Sequence, residues 1–135
     1  MRRFAGVART VSELPVYGRT LAFGSAVSAL VRTPTLRRKL KLCGQITSAA
    51  DSISANIEEG FQQGSDRAFA RYLIIAKGSL AETVGHLQRA CGQGYISAAA
   101  VKPLVREGDE LGRMLGGFIK YLHRSDFKDR GTHNP

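Results

Sequence analysis

A chain of 135 residues with 43% apolar and 23% charged residues fits one domain, with or without tails, and is too apolar for wholesale disorder. No run approaches the ~18 apolar residues of a membrane span, no apolar stretch follows Met1-Arg2-Arg3 as in a secretory signal, and Cys43 and Cys91 are too few for a disulfide scaffold or a four-cysteine zinc site. The net charge of +9 is uneven: residues 1–41 carry nine basic groups against Glu13, while residues 42–135 carry eleven against ten acids.

The expectation is a reduced, cytoplasmic protein with no membrane partner. Its neutral body bears a basic N-terminal third, which favours a polyanionic partner. The alternative is that the basic residues only keep a small protein soluble.

Residues 1–15 read as a flexible basic segment, and four stretches of helical period follow within 16–123. The first runs from about Val16 to Arg32, with Val16, Leu21, Phe23, Val27, Leu30 and Val31 as its apolar positions; Gly24 weakens it. For the second, Thr33 is a candidate cap and Pro34 suits the first helical position. Leu36, Leu40, Cys43, Ile46, Ala50, Ile53 and Ile57 then form one continuous stripe, with Gly60 placed to end it in a left-handed conformation.

The third helix opens with Ser65 as cap and Asp66 at the positive end of the dipole. Phe69, Leu73, Ala76, Leu80, Val84, Leu87 and Cys91 mark its stripe, which Gly92-Gln93-Gly94 breaks. The fourth starts at Ser97 or Lys102, with a reset expected near Pro103, and runs to about His123. Val101, Leu104, Val105, Leu111, Met114, Leu115, Phe118, Ile119 and Leu122 mark its expected buried face. Residues 124–135 read as a disordered tail. Amphipathic helices on short connections predict an all-α, antiparallel up-down-up-down four-helix bundle.

Catalytic and metal chemistry find little support. A di-iron bundle needs paired Glu-x-x-His motifs, whereas Glu82 and His86 form a lone pair, read as a surface contact. No Walker loop or zincin motif occurs, and Cys43 and Cys91 read as small core residues. No enzyme activity, metal or cofactor is expected.

Two segments carry more information. In the first, Asn56 lies beside the apolar stripe, and Glu58 and Glu59 oppose the dipole at the end of the second helix. In the second, Arg71 opens the third helix, and Gly78-Ser79 removes bulk for a close helix approach. A Glu59–Arg71 pair across the hairpin, joined by Asn56 and Glu82, is the structural network these residues predict; a binding role is the alternative.

The string Ser52-Ile-Ser-Ala-Asn-Ile-Glu-Glu-Gly-Phe61, followed by Ser65, Phe69, Arg71, Leu73, Ile75-Ala76, Gly78-Ser79-Leu80, Glu82 and Gly94-Tyr95-Ile96, resembles the four-helix-bundle proteins encoded in 23S rRNA intervening sequences. That family includes the accessory variability protein of diversity-generating retroelements. The resemblance covers about residues 45–122; Ser54 stands where the family has proline and Glu58 where it has alanine. It implies a homopentameric ring and, for the retroelement members, binding of nucleic acid and of a reverse transcriptase.

Independently of the resemblance, the charge split nominates Arg32, Arg37, Arg38, Lys39 and Lys41 as phosphate contacts, the last four on about one turn of the second helix. The expected function is non-enzymatic binding of RNA or DNA by a homo-oligomer. In its sharper form, the resemblance implies an accessory that positions template for a retroelement reverse transcriptase. The alternative is a protein–protein scaffold encoded in an rRNA intervening sequence.

Overall fold

Pro15 stands in the first turn of α1 (Pro15–Val31), where its missing N–H costs nothing. The chain is seen as a computed structural model that describes residues 8–133. Residues 1–7, within the N-terminal segment expected to be flexible, and 134–135 of the expected tail lie outside the described residues. From residue 8 that N-terminal segment packs on the core: Ala8 and Leu14 are buried, and Val11–Glu13 forms a 3-10 turn. Helices α2 (Leu40–Phe61), α3 (Asp66–Gly92) and α4 (Ala98–His133) complete the fold, and there is no strand among the described residues.

Each helix packs on its chain neighbours, and α1 also packs on α4. In α1 the buried positions are Val16, Thr20, Phe23, Val27 and Leu30, a stripe of period three and four that leaves Leu21 exposed, against expectation. Thr20 tolerates burial because its hydroxyl donates to the Val16 carbonyl at 2.8 Å. In α3 the buried stripe passes through Thr83 and Ala90, and Val84 and Cys91 are only partly buried.

The second helix starts later than the Thr33-Pro34 signal predicts. Thr33 donates to the Leu30 carbonyl instead of capping, Leu36–Arg38 is a 3-10 turn, and Lys39 breaks the helical path. The break resets the stripe: Leu36 is fully buried, while Leu40 is 80% exposed. Gly60 does not end α2 with a left-handed residue; it is a buried helical position. A Cβ there would lie 2.7 Å from Tyr72 Cβ and 2.9 Å from Phe69 Cδ1, so this glycine permits a close approach of α2 and α3. Gly78, expected in that part, has open space around it.

Ser65 caps α3 as predicted, accepting from the Ala68 N–H at 3.2 Å. Ser97 caps α4 in the same way through the Ala100 N–H. Pro103 neither starts nor resets α4 but lies inside it. Ala99, whose carbonyl loses a partner to the proline, is exposed, so water can satisfy it. The helix also continues to His133, ten residues beyond its predicted end and through most of the expected tail; Leu122 and Ser125 are buried on it. Phe61, Phe69, Phe118 and Tyr121 form a chain of ring contacts, with centroids 5.2–6.4 Å apart, where α2 ends and α3 begins.

Candidate nucleic-acid interface

Arg32, Arg37, Arg38, Lys39 and Lys41 all lie where α1 passes into α2, on the exposed side of the chain. Arg37, Arg38, Lys39 and Lys41 do not share the single helical turn predicted for them. Arg37 and Arg38 belong to the 3-10 turn, Lys39 to the break, and Lys41 to the first turn of α2. That turn has no acid and no side-chain cap, which leaves the positive end of the α2 dipole uncompensated. Buried Leu36 fixes this corner to the core, and the half-buried Cys43 thiol donates to the Leu36 carbonyl at 3.0 Å. Burial pushes the Cys43 thiol above its ordinary value. Cys43 and Cys91 are free and flank the core instead of filling it.

Two of the five cations line a groove of about 530 Å³ between the start of α2 and the end of α3. Lys39, Leu40, Lys41 and Gln45 form one wall; His86, Arg89, Gln93 and Tyr95 help form the other, and no acid is among the lining residues described. Arg89 donates to His86 Nδ1 at 2.9 Å, and Lys39 Nζ sits 4.7 Å from the centre of the Tyr95 ring. Gly94, at φ +81°, makes the turn that delivers Tyr95 to this position. Arg32, Arg37 and Arg38 lie outside the groove lining, and Arg32 reaches back to Ser28 Oγ. Glu82 lines the adjoining cleft with Lys41 and His86, its Oε1 3.8 Å from His86 Nε2.

Sequence reasoning missed Arg89, His86 and Tyr95 as parts of this surface. The charge count isolated residues 1–41, and the α3 end enters only once α2 and α3 are paired. The Gly92-Gln93-Gly94 break before Tyr95 was the available signal.

The predicted Glu59–Arg71 ion pair is not formed; both side chains are exposed, and neither enters an ion pair among the described residues. Polar ties between helices use other residues. Ser52 Oγ and Ser79 Oγ lie 2.9 Å apart, and Asn56 donates to both the carbonyl and the hydroxyl of Ser52. Glu82 takes no part in that link and faces His86. Tyr17 donates to Glu58 at 2.9 Å, and Arg19 grips Glu107 with two nitrogens. Arg113 holds the Glu110 carboxyl below its usual range, chiefly by a direct hydrogen bond.

Among the described residues no three His, Cys, Asp or Glu side chains come together as a metal site, and no helix is long and apolar enough to cross a membrane. Four helices around one apolar core, with a basic corner between the first two, place the chain among small all-helical proteins. Residues 12–117 match the family described as 23S rRNA-intervening sequence protein, and the chain belongs to that family. A crystal structure of a protein of unknown function from the S23 ribosomal protein family of Bacteroides thetaiotaomicron superposes with a TM-score of 0.71 at 26% identity, covering 78% of this chain and 98% of that one. A search of curated proteins finds no match.

Proposed function

We propose that this chain is a non-enzymatic nucleic-acid-binding protein whose phosphate-contacting surface is the corner between α1 and α2 together with the end of α3. The observation that carries the reading is the groove of Lys39, Lys41 and Arg89 with no acid in its described lining, flanked by exposed Arg37 and Arg38 and by Arg32. Cations placed this way contact phosphates and carry no base-reading information of their own. The contacts Tyr17–Glu58, Ser52–Ser79 and Arg19–Glu107 support an antiparallel up-down-up-down bundle.

The resemblance extends the reading to a homo-oligomer, a pentameric ring, and to positioning template RNA or DNA for a retroelement reverse transcriptase. Exposed Ile74, Ile75, Tyr121 and Phe127 offer apolar surface for subunit contacts. The same apolar residues favour the second reading, a protein–protein scaffold whose basic corner meets an acidic partner.

The test is a mobility-shift titration with mixed-sequence RNA and DNA at several salt concentrations. The wild type binds with a steep salt dependence, and removing one phosphate-contacting cation flattens the log–log slope by roughly 0.7 to 0.9. A variant with Arg37, Arg38, Lys39 and Lys41 replaced by Gln retains its helical circular dichroism and shows a much flatter slope. Absence of wild-type binding at low salt favours the scaffold.

A further inference from the structure

We infer that the groove between α2 and α3 takes single-stranded nucleic acid in preference to duplex; this rests on the nucleic-acid reading above and names the form of the ligand. What carries it is the interleaving of apolar and cationic side chains along one groove. Leu40 is 80% exposed between Lys39 and Lys41, in a helix whose other large apolar residues turn inward. Tyr95 and Arg89 line the same groove, and Lys39 Nζ lies over the Tyr95 ring.

A duplex shows a protein its phosphates and sugars along the backbone and keeps its base faces stacked, so against a duplex Leu40 and Tyr95 would stay unmatched. An unpaired strand offers both surfaces at once: phosphates for Lys39, Lys41 and Arg89, and splayed bases for the tyrosine ring and the leucine. Base stacking on an aromatic is sequence-tolerant because every base has a π-face, so Tyr95 can take any unpaired base. At about 530 Å³ the groove lies within the ~300–1,000 Å³ range of small-ligand sites, room for a nucleotide. Lys39 currently rests on the Tyr95 ring. Transfer of its ammonium to a phosphate frees that ring face for a base.

The experiment is a fluorescence-polarisation titration of the full chain with a labelled RNA strand of no internal pairing, and with the same strand annealed to its complement. The strand is expected to bind about tenfold tighter than the duplex, the scale of one base–aromatic stack. Leu40→Gln, at an exposed position, and Tyr95→Leu, which keeps apolar bulk, should each weaken strand binding about threefold or more. Neither should alter duplex affinity or the salt slope, since apolar contacts release no counterions. Equal affinity for strand and duplex, or equal weakening of both in the variants, would overturn the inference and leave the nucleic-acid reading intact. No binding of either form at low salt would overturn both.

Discussion

The hydroxyls of Ser52 and Ser79 meet at 2.9 Å between α2 and α3, and Asn56, one turn further along α2, donates to the same Ser52 oxygen. A neutral hydrogen bond of this kind contributes about 0.5–1.5 kcal/mol net. Ser52→Ala and Ser79→Ala are expected to couple by about 1 kcal/mol in a double-mutant cycle read by urea unfolding. Glu59→Ala and Arg71→Ala, which do not meet, should add within about 0.5 kcal/mol.

Gly60→Ala drives a methyl group into Tyr72 and Phe69, and the Phe69 carbonyl at 3.3 Å limits retreat. Overpacking of this sort costs about 1–3 kcal/mol. Gly24→Ala meets nothing within 4 Å in mid-helix and should stabilise by about 0.5–1 kcal/mol. Thermal melts of the two variants are expected to move in opposite directions.

Desolvation, then the hydrogen bond to Glu58 and its charge, raises the Tyr17 phenol above its ordinary value. Below about pH 10 both folded and unfolded phenols are protonated, and this contribution to stability is fully present. As pH rises further the unfolded chain releases its proton first, so the contribution fades through the raised folded value. Between about pH 9 and 11 the wild type should become less stable relative to Tyr17→Phe, as measured by urea midpoints.

The Cys43 thiol, raised by burial and donating to Leu36, should react with iodoacetamide more slowly than the same thiol in the denatured chain. Peptide mapping after timed alkylation, with Cys43→Ser as control, reads the rate. Equal rates would mean that the corner around Leu36 opens freely.

The helices were legible because apolar periodicity over long stretches reports burial directly, and the Ser65 cap was legible because its chemistry is local. What failed was phase. Nothing local announces that Lys39 breaks the chain, so a stripe running unbroken from Leu36 through Leu40 puts an exposed leucine into the core. Pro103 misled because its cost depends on whether the carbonyl it strands can reach water, a tertiary property. The basic corner was readable from charge, but the groove beside it was not. Arg89 and Tyr95 join Lys39 and Lys41, two of the five nominated cations, only through helix pairing and the Gly94 turn. The Glu59–Arg71 pair failed on facing and not on register: Ser52 meets Ser79 and Gly60 meets Tyr72, which brings 59 and 71 level, but the glycine and the tyrosine take the interface and leave both charged side chains exposed.

The most direct test of the central claim is to map the contact itself. Full-length protein bound to 4-thiouridine-labelled RNA is irradiated, digested and sequenced by mass spectrometry. Crosslinks are expected within residues 32–41 and 86–95, the basic corner and the segment of α3 and its following turn that lines the groove beside it. Crosslinks confined to other surfaces, such as the α2 face carrying Asp51 and Glu59 or the exposed Ile74 and Tyr121 on α3 and α4, would contradict the account.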